Sequence, residues 1–446
     1  RTRDGKAIPA ALAAGCSVRA SAHLPAWGLR ATPKGKEYGR KCLTPQPVLF
    51  MYVCWPRGGP TPPRPGVEGT CSRPRQNQEI TTMKRDLRFH IAVLPGDGIG
   101  PEIVASSLHV LEVLNERMGG IGFDFWHLEG GAAHYQKTGT AFSDENMAAC
   151  KKADAVLLGA IGLPHVRYSD GTEVTTQLDL RVEMDLYAGL RPIRSYPSLP
   201  RVLVDKRASQ IDLVLVREQT EGILYSRCRG TIEDDRVAWE TMMISRNGTS
   251  RVSEFAFRVA ERRAKSRRRP GKVLCVDRSN ALTSMAFFRR IFGEVAERHP
   301  SVSADYAYVD TTAMKLVKSP WEFDVLVTEN AFGGILSDLA AGVVGSLGLA
   351  PSADIGEKHA VFQPAHGSAP HIAGQGLANP VAQILSVALM LDWLADQHGE
   401  PRLAHGARIL EHAVEKALTI VCPVEFGGKD GTAAITKAII AQIRKS

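Results

Sequence analysis

The chain of 446 residues has no uninterrupted apolar run of about 18 residues or more, so a membrane-spanning helix is not expected. Its eight cysteines form no C-x-x-C pair and no metal-like spacing with histidine. They are read as reduced thiols in a cytosolic-type compartment. No internal repeat is evident. The body of the chain also lacks any excess of basic charge. The formal net charge is +8, but residues 1–82 hold 13 Lys and Arg against 4 Asp and Glu, whereas residues 83–446 hold 42 against 43. That balance removes the electrostatic reason for binding nucleic acid.

The basic leader is rich in Pro, Gly and Arg ("WPRGGPTPPRPG"), shows no sustained periodicity, and begins with Arg1. Such composition cannot easily bury a core. Residues 1–82 are therefore expected to be a disordered or artefactual extension, with Met83 just ahead of the first convincing strand. An Arg-rich transit peptide is the alternative. The first reading implies a cytoplasmic protein and the second a mitochondrial one.

From residue 83 onward, strand and helix patterns alternate. "FHIAVLPG" (Phe89–Gly96) is an apolar run ending in turn residues. "GIGPEIVASSLHVLEVLNERMGG" then opens a helix, with Pro101 near its first turn and Val104, Leu108 and Leu111 at helical spacing. Further apolar runs appear at "DAVLLGA", "IDLVLVRE", "KVLCVD", "YAYVD" and "FDVLVTEN". Such runs, separated by helices, predict an α/β fold whose sheet is covered on both faces.

Polar residues fall at the strand ends, where open α/β sheets bind ligands. Arg217 ends "IDLVLVR", Asp277 and Arg278 end "VLCVDR", Asp310 ends "YAYVD", and Glu329 and Asn330 end "FDVLVTEN". A single charge there is ordinarily the solvated start of a loop, but four such ends together suggest a site. Arg181, Arg191 and Arg217 suggest a polycarboxylate, because guanidinium forks match carboxylates bidentately. Aspartates supply hard oxygen ligands for a divalent cation.

Six segments follow one another in order: "LPGDGIGPEI", "LDLRVEMDLYAGLRPIR", "LVREQTEG", "CVDRSN", "FGGILSDLAAGVVGSLGLAPSADIG" and "HGSAPHIAGQGLANP". Together they resemble the metal-dependent β-decarboxylating dehydrogenases (3-isopropylmalate, isocitrate and tartrate dehydrogenases), with 3-isopropylmalate dehydrogenase nearest in look. The resemblance spans 83–446 and none of 1–82. It implies a two-domain, non-Rossmann α/β fold, so "GDGIG" is not a dinucleotide fingerprint. One domain would comprise 83–187 with 345–446, carrying the nucleotide site. The other, 188–344, would carry the dimer interface and metal and substrate residues. It also implies a homodimer with shared active sites, and no nucleic-acid or membrane partner. The implied reaction is oxidation of a small 2-hydroxy polycarboxylic acid such as 3-isopropylmalate, isocitrate, tartrate or malate, with β-decarboxylation. NAD is the expected hydride acceptor, NADP the alternative, and Mg²⁺ or Mn²⁺ the expected metal.

Residue by residue, the resemblance assigns Arg181, Arg191 and Arg217 to the substrate and Asp310 and Asp338 to the metal. It assigns His366, Gly367, Ser368, Ala369, His371 and Asn379 to the cofactor, and Arg278 and Tyr225 to catalysis. Four positions depart from the family pattern. Gly334 stands where a third metal aspartate is usual, one helical turn before Asp338. Arg278 replaces a lysine that moves protons, and arginine is a poor base. The family tyrosine lies seven residues after the arginine of "VRE", where this chain has Leu224, with Tyr225 one step later. His371 replaces an aspartate that bonds the adenosine ribose in NAD-dependent members. These departures leave a second reading open, a catalytically degenerate paralogue that binds ligand as a regulatory or non-catalytic subunit. Gln177, where isopropylmalate enzymes tend to be apolar, hints at a more polar substituent on the substrate.

Overall fold

The computed structural model describes residues 87–446 apart from Cys228. The expectations for residues 1–82 lie outside the described residues. Twelve strands occur among the described residues: β1 (Arg88–Gly96), β2 (Gly122–His127), β3 (Ala155–Ala160), β4 (Ala188–Arg194), β5 (Asp212–Glu218), β6 (Thr231–Glu233), β7 (Val237–Trp239), β8 (Gly271–Asp277), β9 (Val302–Tyr308), β10 (Val325–Thr328), β11 (Pro351–Ile355) and β12 (Ala360–Pro364). Ten form one sheet in the order β2-β1-β3-β12-β11-β4-β5-β10-β8-β9, and β6 and β7 pair as a separate hairpin.

The expected α/β architecture is present, but the sheet is mixed. β1, β2, β3 and β12 run parallel, as do β5, β8, β9 and β10. Between these sets β11 pairs antiparallel with both β12 and β4, and β4 antiparallel with β5. The second parallel set therefore runs opposite to the first.

Alternation along each strand sorts side chains to two covered faces. On β1, Ile91 and Val93 join the core under the helices Gly100–Arg117, Val381–His398, Pro401–Ala417 and Thr432–Lys445, while Ala92 and Leu94 face the other way, toward Leu180 and Met184. On β5, Val214 and Val216 pack under Arg246–Arg267 and Thr283–Ala296, and Leu213 and Leu215 under Asn330–Val344. A polar residue in phase with Leu213 and Leu215 thus points toward that last helix. Arg217 has this phase.

The "GDGIG" turn is a structural clasp. Asp97 is buried, and its carboxylate accepts hydrogen bonds from the backbone N–H of Ala132 (2.8 Å), Ala133 (2.8 Å) and Gly162 (2.7 Å). Gly98 has a φ of +58°, and a Cβ there would collide with the Ser368 carbonyl. Ile99 N donates to that carbonyl at 2.8 Å. The turn after β1 thereby holds the "HGSAP" loop in place.

Candidate active site

The middle of the sheet builds the site. The registers β11–β4 and β4–β5 align Asp354, Gly189 and Arg217 in one cross-strand row, and Arg191 and Gln219 lie two residues along on the same face. Gly189 has no side chain, and Gln219 reaches across the gap it leaves; a Cβ at 189 would collide with Gln219 Nε2. Gln219 Nε2 donates to Asp354 Oδ1 at 2.5 Å. Gln363 Nε2 and Arg181 Nε both donate to Asp354 Oδ2, each at 2.8 Å. Arg181 comes from the helix Thr176–Glu183, whose Leu180 is packed in the core on that face.

The structure thus brings Arg181, Arg191 and Arg217 together around Asp354, which is 1% exposed. Burial works to raise the Asp354 pKa, but Arg181 and Arg191 beside it outweigh that and hold it below the usual carboxylate range. Burial also pulls down Arg191, with Asp354 opposing and Arg181 assisting. It pulls Arg217 down to about 9, helped by Arg181 and Arg191. Three guanidiniums around one carboxylate leave an excess of positive charge that an anion would relieve. Three buried donors in this neighbourhood have no acceptor: Arg191 Nε, Arg217 Nε and Asn330 Nδ2. Buried polar groups are rarely left unpaired, and an unpaired donor cluster calls for an acceptor.

The helix Asn330–Val344 closes the other side. Glu329 caps it, accepting from Ala331 N (3.0 Å) and Phe332 N (2.7 Å). Asn330 Oδ1 accepts from Arg217 Nη2 at 2.5 Å. Arg217 lies over two glycines: a Cβ at 333 would come within 2.5 Å of its Cγ, and one at 334 within 3.2 Å of Nη1 and 3.3 Å of Cζ and Nη2. Gly334 therefore leaves room for the guanidinium. The next turn carries Asp338, exposed and close enough to Arg191 to act on its titration.

The residues assigned to proton transfer and metal are not gathered in this way. Asp310 lies in the first turn of the helix Val309–Lys318 and is 60% exposed; its Oδ2 accepts a hydrogen bond from Arg278 Nη1. That bond, from a side chain in a position assigned to catalysis, holds the Asp310 carboxyl below its ordinary range. Asp277 is fully buried and bonded by Arg289 Nε (2.6 Å), so it is a structural anchor. Tyr225 lies on the short helix Ile223–Ser226, 39% exposed, with the Arg229 guanidinium 4.5 Å above its ring. Arg227, two residues on, ties this turn to the Arg181 helix by bonding Asp179 (2.8 Å) and Thr175 (3.0 Å). Among the described residues no three Asp, Glu, His or Cys side chains come together as metal ligands. With Gly334 in place of a carboxylate and Asp310 engaged by Arg278, one chain does not make a closed cation site.

The "HGSAP" loop follows β12. His366 Nδ1 lies 2.8 Å from the Gly367 carbonyl, while Nε2 is buried without a partner. Burial lowers the His366 pKa, favouring the neutral ring. Gly367 is exposed, and Ala369 has a φ of +38°. These features fit a flat polar ligand seated against the loop. Ser368 donates instead to the Gly162 carbonyl, and Asn379 donates to Glu425 at 2.9 Å, so both hold the loop itself. His371 is exposed. Asp354, Gln219 and Gln363 were not singled out from the sequence; the acid in "PSADI" and the amide in "AVFQP" were the available signal.

The fold and site define a class: a mixed α/β protein with a buried guanidinium clamp on one sheet face and a glycine-tightened loop following a strand of the same sheet. Comparison narrows it. The isocitrate/isopropylmalate dehydrogenase family matches residues 90–442. The 3-isopropylmalate dehydrogenase of Aquifex aeolicus is 41% identical over 339 residues, covering 74% of this chain and 89% of that protein. That of Methylococcus capsulatus is 39% identical over 372 residues, covering 80% and 99%. The crystal structure of isocitrate dehydrogenase from Methylococcus capsulatus superposes with a TM-score of 0.69 at 32% identity, covering 80% of this chain and 99% of that one. That of a β-decarboxylating dehydrogenase from Thermococcus kodakarensis gives 0.63 at 34% identity, covering 80% and 96%. The chain belongs to the isocitrate/isopropylmalate dehydrogenase family, whose members are decarboxylating dehydrogenases acting on a CH–OH group, and it has that family's fold.

Proposed function

We propose that this chain oxidises a 2-hydroxy polycarboxylic acid, of the kind represented by 3-isopropylmalate, isocitrate, tartrate and malate, with β-decarboxylation of the product. The observation that carries the reading is the trio of crowded guanidiniums with unpaired donors on one sheet face. Arg181, Arg191 and Arg217 bind and orient the carboxylates, and Asn330 offers its free amide N–H to the same ligand. NAD, with NADP as alternative, is the proposed acceptor, seated against His366, Gly367 and Ala369, with His371 and Asn379 flanking; when bound it accepts the hydride. Mg²⁺ or Mn²⁺ remains the proposed metal, with Asp338 and Asp310 supplied by two copies of the chain. The division into 83–187 with 345–446 and 188–344 belongs to the same proposal.

A second copy has a suitable docking element. The hairpin β6–β7 exposes Ile232, Val237 and Trp239, all apolar, and an exposed two-stranded ribbon is marginal alone. The described residues include no helix long and apolar enough to cross a membrane. A cytoplasmic location is proposed for the folded body.

A steady-state assay with Mn²⁺ on the four acids, each with both nicotinamides, tests the reading. Turnover of one or more acids is expected. Binding of acid and nucleotide without turnover would instead be the behaviour of a non-catalytic paralogue, and absence of acid binding would overturn the clamp.

A further inference from the structure

The clamp contains one carboxylate that binding and hydride transfer do not use. Asp354 stands on β11 in register with Gly189, which stands in register with Arg217 on β5. Its two oxygens accept from Arg181 Nε, Gln219 Nε2 and Gln363 Nε2, and it is buried from water. We propose that Asp354 is a positioning and specificity-determining residue: it fixes Arg181 and cancels one of the three guanidinium charges, so that the site takes a 2-hydroxy dicarboxylate in preference to a tricarboxylate. The proposal rests on the clamp reading above.

The positioning follows from which nitrogen is used. Asp354 takes the inner Nε–H of Arg181, which leaves both terminal nitrogens of that guanidinium for another acceptor. With three donors on its two oxygens, Asp354 acts as a permanent internal counter-ion rather than a ligand group. The specificity follows from charge. Three guanidiniums and one carboxylate leave two positive charges in the row, while the proposed divalent cation is balanced by its own two aspartates, Asp310 and Asp338. Two substrate carboxylates balance the charges of the row. A third would enter the same low-dielectric layer without a cation of its own, and an unpaired buried charge is costly. The other acids facing this region do not change the sign. Glu329 directs its oxygens to the N–H groups of its own helix, and Asp338 sits exposed at the rim. Any negative charge they add disfavours a tricarboxylate further.

Malate and tartrate serve as the dicarboxylate probes and isocitrate as the tricarboxylate probe, read by kcat/KM and by ligand-induced shift in Tm with nucleotide saturating. The wild type should prefer malate or tartrate over isocitrate by at least about tenfold. Asp354→Asn, with its amide oxygen in the place of Oδ2, keeps the acceptor for Arg181 and Gln363, and the Gln219 amide can turn so that its oxygen accepts from the new NH₂. It should reduce the dicarboxylate-to-tricarboxylate ratio about tenfold, mainly through KM. Asp354→Glu keeps the charge and should keep the ratio, whatever its absolute activity. An unchanged ratio in Asp354→Asn overturns the proposal, and so does a wild type that prefers isocitrate, a result that needs no variant to fold. Arg217→Ala separates the two levels. If it leaves malate and tartrate binding intact, the clamp itself fails. If it abolishes that binding while Asp354→Asn leaves the ratio alone, only the role of Asp354 fails.

Discussion

The clamp and the proton-transfer end of the site are built on opposite terms. Arg181, Arg191, Asp354, Gln219 and Gln363 are buried, and the strand registers that align the row leave little freedom. Arg278, Asp310, Asp338 and Tyr225 lie partly or largely in solvent, and the Arg278–Asp310 pair is an exposed contact of the kind that contributes little to stability. The first region is held together by contacts within one chain. The second is held by the Arg278–Asp310 contact and by the Arg229 guanidinium over the Tyr225 ring. In the proposed reading the first region selects the substrate and the second serves the chemistry. Of the positions that depart from the family pattern, Gly334 lies against Arg217 in the first region, and Arg278 and Leu224 lie in the second.

The largest effect that can break this comparison is expected from Arg217→Ala. Loss of a half-buried, hydrogen-bonded charge contact should weaken dicarboxylate affinity by about 10²–10³-fold, while nucleotide affinity is preserved. Ligand-induced shifts in Tm, measured with the acid and with the nucleotide separately, decide it. Equal loss of both would mean that the two regions are not independent.

Next comes Arg278→Lys. Lysine can give up a proton where arginine cannot, and a positioned acid–base group contributes about 10²-fold or more, so kcat should rise by about that factor with KM nearly unchanged. The pre-steady-state rate of nicotinamide reduction is the measurement. A fall in rate would mean that Arg278 is adapted to a different chemistry.

The same contrast explains what was legible in the sequence. Apolar runs such as "DAVLLGA" and "IDLVLVRE" announce strands because both of their faces are buried. The strands β4 ("AGLRPIR"), β11 ("PSADI") and β12 ("AVFQP") do not, since the residues facing the site are Arg191, Asp354 and Gln363, which break the apolar pattern. The arginines were nevertheless legible as a group, because three guanidiniums near strand ends have few uses besides anions. Their counter-ion was not, because its partners come from separations of 173, 135 and 9 residues and only strand register joins them. Gly334 was legible as a missing carboxylate. That it also makes room for Arg217 depends on a side-chain path that no spacing rule contains.

Gly334→Asp sharpens that point. An aspartate there would lie against the Arg217 guanidinium as well as one turn before Asp338. Added carboxylate charge should tighten Mn²⁺ binding. Measured without a divalent cation, the same substitution should weaken dicarboxylate binding about tenfold, since it competes for a charge-assisted hydrogen bond worth about 1.5–3 kcal/mol. Calorimetric titrations of acid with and without Mn²⁺ distinguish the two effects. Tighter acid binding without metal would show that Arg217 does not face the ligand.

The smallest effect on the ligand is expected from Glu218→Gln, which tests whether the clamp belongs to one face of β5. Glu218 sits between Arg217 and Gln219 in sequence, so its side chain points to the opposite face. It is buried, and it accepts hydrogen bonds from Thr220 N (2.8 Å), Thr220 Oγ1 (2.7 Å) and Glu221 N (2.7 Å). Burial raises its pKa to about 7, against the opposing effect of those bonds. A folded-state pKa above the unfolded one means that folding takes up a proton between the two values. The stabilisation from this group is full below pH about 4.5, and it is lost as the pH rises through about 7. Glutamine is uncharged at every pH, so the variant should lack this part of the decline in Tm between pH 5 and pH 8, with a lower Tm throughout because its NH₂ cannot accept from Glu221 N. Dicarboxylate affinity should stay within about twofold of the wild type, because additivity holds for side chains that share no partners. A large loss of acid affinity in Glu218→Gln would show that strand β5 transmits strain from one face to the other, and the clamp would then not be the self-contained region described above.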